Sequence, residues 1–154
     1  MMNSFFSLRP EAVGTARADD RHAILALLAE RFASVYNLDA AEILERLDER
    51  EKLGSTGFGR GVAIPHARVA GLRCPVAALL RLEHPVDFDA ADGLPVDLVF
   101  GLLSPENAGA MHLRALAAIS RIVRDENTHQ ALAEAPGADA IYALLTNVSD
   151  LDAA

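Results

Sequence analysis

Three observations predict an α/β (α+β) fold, a mixed central sheet of short strands sandwiched by helices. Two helical periodicities fill the first third of the chain, three short apolar runs of strand length occupy the middle, and a strong helical stripe followed by two shorter ones closes it. The 154 residues fit one domain, 1–154 with a core over about 15–146, long enough to bury most of its apolar surface without disulfides or metal.

Residues 5–8 read as a first strand inside a lead-in that runs to about Thr15. Asp19 or Asp20 is placed to cap a helix over 21–35, where Ile24, Leu25, Leu27, Leu28, Phe32 and Val35 recur at helical spacing. Asn37 to Asp39 supplies a second capping signal, and Ala41, Ile43, Leu44 and Leu47 carry the period to Arg50 and Glu51, where a glycine loop ends it. Val62, Ala63 and Ile64 form a short buried run closed by Pro65, and residues 76–82 and 96–103 are further apolar runs of strand length. Between these two runs, residues 84–95 contain Pro85, Pro95 and an Asp92-Gly93 pair, which favour a turn-rich, hairpin-like connection. Ser104 as cap and Pro105 at the first helical position predict the next helix, striped by Met111, Leu113, Leu116, Ala117, Ile119, Ile122 and Val123. Two short helices are expected over 127–133 and 137–145, with fraying from Ser149.

The bulk properties narrow the function. A formal net charge of −8 disfavours nucleic-acid binding, which needs a basic face to replace counterions, so any anion site has to be made positive locally. No run of eighteen apolar residues occurs, and residues 1–8 lack a basic region and a long apolar stretch, so neither membrane insertion nor export is expected. Cys74 is the single cysteine, which suggests a reducing, cytoplasmic setting; it reads as a small buried or half-buried side chain.

Residues 53–67, LGSTGFGRGVAIPHA, are the most informative segment. Four of the eight residues from Gly54 to Gly61 are glycine, allowing positive φ and close backbone approach, and the apolar strand behind them delivers one histidine, His66. A neutral imidazole has a free lone pair that can attack phosphorus, bind metal or take a proton, and all three chemistries stay open on the residues alone. The loop lacks the Gly-Lys-Ser/Thr ending of a P-loop, which argues against nucleotide hydrolysis.

Three separated segments carry a resemblance. REKL at residues 50–53 with the glycine loop and VAIPH at 62–66 comes first; PVDFDA at 85–90, Asp92-Gly93 and PVDLVF at 95–100 follow; His112-Leu113 opens the long helix. In this order they closely resemble the IIA domains of the bacterial phosphoenolpyruvate-dependent phosphotransferase system, in the mannitol/fructose class, over roughly residues 20 to 145. The loop 53–57 and the single-domain layout look most like the nitrogen-related branch, which regulates rather than transports. The resemblance implies that His66 accepts a phosphoryl group from a small histidine phosphocarrier protein and regulates partner proteins by its phosphorylation state. It also implies that His112 and Arg50 lie beside His66, His112 helping to hold the phosphoryl group and Arg50 lending charge. Ser55, Thr56 and Gly57 are candidate phosphoryl-loop contacts, with turn and capping roles as the equal alternative for the two hydroxyls. No cofactor is called for and no metal site is assigned.

Two positions depart from the family pattern. Ala67 stands where glycine usually follows the histidine, and Arg60 stands where a smaller polar residue is common; a methyl at Ala67 would be strained if positive φ were needed there. Arg60 and Arg68 either add charge beside the histidine or lie in solvent. His22, His84 and His129 read as solvent-facing, and Asp87, Asp89, Asp92 and Asp97 as turn carboxylates rather than a divalent-ion site. The alternatives are a sugar-specific IIA component passing phosphate to a permease and, more distantly, a metal-dependent hydrolase built on His66, His112 and acidic residues, for which no His-Glu-x-x-His spacing exists.

Overall fold

A computed structural model describes residues 5–153, with side chains to residue 147. The chain runs β1 (Ser7–Ala16), α1 (Arg21–Tyr36), α2 (Ala40–Lys52), β2 (Gly57–Gly59), β3 (Val62–Ala63), β4 (His66–Val69), β5 (Val76–Val86), β6 (Val96–Pro105), α3 (Ala110–Arg124), α4 (Glu126–Glu134) and α5 (Ala138–Ala153). The strands form one mixed sheet in the order β1-β5-β6-β3-β2, and β4 also pairs with β6. The β5–β6 pair is antiparallel, as the hairpin-like connection predicts, whereas β1 lies parallel to β5 and both β3 and β4 lie parallel to β6.

Residues 76–80 of β5 and 98–105 of β6 are buried without alternation, the mark of strands covered on both faces. Two helical layers do the covering: α1 packs on α2, β1 and β5, while α3, α4 and α5 contact one another and reach β6 and β1. Gly101 lets α1 approach β6 closely, since a Cβ there would lie 2.7 Å from a Leu28 methyl. Asp20 caps α1 by accepting from the Ala23 amide at 2.8 Å and Asp39 caps α2 by accepting from Ala41 at 3.0 Å, each cap stabilising its helix by about 1 kcal/mol.

Several expected boundaries move for identifiable reasons. The first strand is ten residues long, broken in register between Leu8 and Val13 around Pro10, which cannot donate to the ladder. Likewise β5 runs through His84 and Pro85, with a register shift between Arg81 and Val86 that absorbs the proline. Ser104 and Pro105 do not start a helix: both belong to β6, and α3 begins at Ala110 behind Gly109, which makes no side-chain cap. Helix α5 extends past Ser149 to Ala153, beyond the expected fraying point. Cys74 is exposed rather than buried, because it falls in the turn between β4 and β5.

The departures at Ala67 and Arg60 exchange roles. Ala67 takes an ordinary strand conformation in β4, so its methyl costs nothing, whereas Arg60 has φ of +59° and Gly61 of +84°. Two successive positive φ values are what a type I′ hairpin turn between β2 and β3 demands, and Asn-Gly meets that demand better than Arg-Gly. The Arg60 side chain answers with a 3.2 Å hydrogen bond to the Arg124 carbonyl and a 3.9 Å pairing with exposed Glu126, a surface pair of small value. Arg60→Asn is therefore expected to stabilise the protein by about 0.5–1 kcal/mol, seen as a rise of about 1–4 °C in thermal midpoint. A midpoint below that of the parent protein would show that the Arg124 contact outweighs the turn strain.

Candidate active site

The site is built where the strand carrying His66 is interrupted. Residues 61 to 69 run beside β6: the Gly61 carbonyl accepts from the Asp97 and Leu98 amides at 3.0 and 3.1 Å, and the Pro65 carbonyl accepts from Leu102 at 3.0 Å. Pro65 can accept but not donate, so the strand splits there into β3 and β4, and His66 stands at the first position of β4 opposite Leu102. Its Nδ1 lies 2.8 Å from the Ile64 carbonyl. A carbonyl only accepts, so Nδ1 carries the ring hydrogen. On the other side, Arg50 Nε donates to Nε2 at 3.3 Å; a guanidinium always donates, so Nε2 bears the lone pair. Two independent partners thus select one tautomer and leave the lone pair on Nε2.

Arg50 reaches His66 from the last turn of α2, and its Nη1 also donates to the Gly54 carbonyl at 2.8 Å, so one guanidinium ties the glycine loop to the histidine. The loop is pinned from beneath by Glu51. This carboxylate, 6% exposed, accepts from the Thr56 amide at 3.2 Å and from the Thr56 hydroxyl, and lies 3.6 Å from Arg21. The Ser55 hydroxyl donates to the Phe88 carbonyl and accepts from the Gly57 amide at 2.9 Å. Both hydroxyls proposed as phosphoryl contacts are therefore committed to shaping the loop. Gly57 has a packing reason to be glycine, since a Cβ there would lie 2.8 Å from the Ala90 backbone.

His112, in the first turn of α3, is 4% exposed, and its ring centre lies 5.6 Å from that of His66. Its Nδ1 is 2.7 Å from the hydroxyl of fully buried Ser104. Arg46, Glu49, Arg50, Leu53, Arg68 and His112 line one cleft with His66, so three arginines face a single carboxylate in a protein of net charge −8. Burial first, then Arg50 and Arg68, hold the His66 pKa below 6.5, partly offset by the Ile64 carbonyl. Burial with the charges of Arg68 and His66 lowers that of His112 to about 4. Both rings are neutral at pH 7, and His66 keeps its lone pair.

The structure thus brings His66, His112 and Arg50 together, adds Arg68, and keeps Arg60 away on α3 and α4. Sequence reasoning missed the tasks of Glu51 and Ser104: Glu51 stands in the recognised motif, yet nothing in a sequence shows that a carboxylate will be buried. His129 is half-buried against Asp97 at 3.4 Å rather than solvent-facing, while His22 and His84 are exposed. Asp87 and Asp92 accept backbone amides within their own turns. Among the described residues, no group of three or more His, Cys, Asp or Glu side chains is placed to hold a metal ion. No helix among them is long and apolar enough to cross a membrane.

A neutral imidazole with one free lone pair, ringed by guanidiniums on a mixed sheet, is equipped to attack an anionic electrophile. The family described as "Phosphoenolpyruvate-dependent sugar phosphotransferase system, EIIA 2" matches residues 7–148, and the chain belongs to it. It is 49% identical over 112 residues to the nitrogen regulatory protein of Pseudomonas aeruginosa, covering 73% of each chain. It is 43% identical over 137 residues to that of Bradyrhizobium diazoefficiens, covering 88% of this chain and 90% of the relative. The crystal structure of nitrogen regulatory protein IIA-Ntr from Neisseria meningitidis superposes with a TM-score of 0.83 at 36% identity, covering 90% of this chain and 95% of that one. Proteins of this family are phosphotransferases that accept phosphate from phosphocarrier proteins.

Neutral burial of His112 has a measurable consequence. Its folded pKa of about 4 lies below the ordinary 6.5, so the unfolded chain binds the proton first. The contribution is complete above about pH 6.5 and is lost as pH falls toward 4, amounting to about 3 kcal/mol. Denaturant unfolding across that window should show stability falling with pH in the parent protein and a shallower fall in His112→Gln. Equal slopes would mean that His112 titrates normally.

Proposed function

We propose that this chain is a cytoplasmic phosphocarrier of the nitrogen-related branch, with His66 Nε2 as the acceptor, charged by a histidine phosphocarrier protein of the HPr/NPr type and regulating partner proteins by its phosphorylation state. The single observation that carries the reading is the two-sided selection of the His66 tautomer by Ile64 and Arg50. In the transfer, the Nε2 lone pair forms the new N–P bond while the bond from phosphorus to the donor's histidine breaks, its electron pair returning to the donor ring. The Nδ1 hydrogen stays with His66, and the Ile64 carbonyl accommodates the positive character the ring gains. Arg50, freed from Nε2, and Arg68 face the phosphoryl oxygens, where fixed positive charge counts most. His112 Nε2 supplies a further donor.

Docking of the donor falls to exposed apolar side chains. Leu53, 84% exposed, lines the cleft, while Met111 and Leu113, 42% and 63% exposed, flank His112. Large apolar groups around a reactive centre suit transient protein contact.

Incubation with phosphoenolpyruvate and the first two relay proteins should add one acid-labile phosphate, read by intact mass, and His66→Ala should abolish it. Transfer that survives His66→Ala would reject the assignment. Arg50→Gln is expected to slow uptake by about ten- to a hundredfold and to raise the His66 titration midpoint followed by NMR, since a positive neighbour is removed. Leu113→Asp should raise KM for the phosphorylated donor with little change in kcat; an unchanged KM would place docking elsewhere. Transfer onward to a sugar-permease IIB domain would favour the sugar-specific alternative.

A further inference from the structure

Ser104 is a fully buried polar group that this mechanism leaves unused. It stands next to the end of β6, opposite Arg68 in the parallel register with β4, and is 0% exposed. Its hydroxyl has a single hydrogen-bond partner among the described residues, His112 Nδ1 at 2.7 Å. That bond spans the connection from β6 to α3 and fixes the ring at the start of the helix. The other ring nitrogen of His112, Nε2, has no hydrogen-bond partner among the described residues and belongs to a ring lining the cleft with His66.

A neutral imidazole carries one N–H, so the choice of nitrogen decides whether His112 presents a donor or a bare lone pair to the cleft. Two assignments are possible. If Nδ1 donated to Ser104, the serine hydrogen would be buried without an acceptor and the Nε2 lone pair would be left to confront phosphoryl oxygens. If Ser104 donates to Nδ1, the hydroxyl hydrogen is satisfied and Nε2 is the donor. Only the second pairs the hydrogen of the fully buried hydroxyl, and the one N–H it leaves without a protein partner belongs to the ring that lines the cleft.

We infer that Ser104 is a positioning residue for phosphoryl transfer: its hydroxyl donates to His112 Nδ1, places the ring hydrogen on Nε2, and so directs an N–H at the phosphoryl group carried by His66. This deepens the phosphocarrier reading and rests on it for the last clause. Depression of the His112 pKa to about 4 keeps the ring in the neutral form for which the choice of tautomer exists.

The test uses the full chain with labelled histidine. Long-range proton–nitrogen NMR on the unphosphorylated protein at pH 7 reads which His112 nitrogen bears hydrogen. The parent protein should show Nε2–H, Ser104→Ala a shift toward Nδ1–H or a mixture, and Ser104→Thr, which keeps the hydroxyl, the parent pattern. After phosphorylation through the relay, phosphohistidine 66 should hydrolyse about three- to tenfold faster in Ser104→Ala, the worth of one misdirected hydrogen bond, and be restored in Ser104→Thr. A parent protein carrying the hydrogen on Nδ1 overturns the inference even if neither variant folds. Unchanged tautomer and lifetime in a folded Ser104→Ala overturn it equally. If the parent protein gains no phosphate at His66, the phosphocarrier reading fails separately, and the tautomer measurement still decides what Ser104 does.

Discussion

Parallel pairing of residues 61–69 with β6, broken at one proline, is the constraint on which the site depends. An uninterrupted parallel strand would bury its backbone groups in the ladder and point successive side chains to alternate faces. Pro65 keeps its acceptor bond to Leu102 but withholds a donor, and the break leaves the Ile64 carbonyl within reach of the His66 ring. From that one geometry follow the orientation of the imidazole, its tautomer and the identity of the free nitrogen. The glycine loop ahead of it serves the same end: Arg50 and Glu51, adjacent in α2, hold the loop from two sides, one through Gly54 and one through Thr56. A helix terminus thereby sets the position of a strand.

Electrostatics at the site oppose those of the whole molecule. With a net charge of −8, the protein as a whole repels an anionic group, yet three arginines line the cleft with His66, and the charges of two of them, Arg50 and Arg68, act on its ring. Their charge and the burial of the rings work together, holding two histidines neutral while surrounding them with fixed cations. A lone pair on His66 and fixed positive charge beside it are then available at the same pH. Charging His66 would remove that lone pair.

Much of this was legible in the residues. Helical stripes, capping signals at Asp19 or Asp20 and over residues 37–39, and the β5–β6 hairpin are local features, written in periodicity and turn chemistry; the structure chooses Asp20 and Asp39 as the caps. The boundaries that moved did so where tertiary pairing overrode a local signal. Ser104-Pro105 has the form of a helix start, but both residues serve β6, and the serine hydroxyl is taken by a histidine eight positions on. Pro10 and Pro85 look like strand breakers, yet register shifts absorb them. Ser55 and Thr56 suit a phosphoryl loop equally well as a capped turn, and only the positions of Phe88 and Glu51 separate the two.

The sequence by itself determined the fold class and the family, because helical and strand periodicities are local and three separated motifs occur in the family's order. Tertiary structure alone decided which nitrogen of His66 is free, that Ala67 is unstrained while Arg60 carries the positive φ, and that Glu51 and Ser104 are buried partners of the site. The physical reason is common to all of these. Tautomer, burial and the use of a hydroxyl depend on which donor or acceptor arrives from a distant segment, and such arrivals are set by packing of the sheet and helices rather than by the residues on either side.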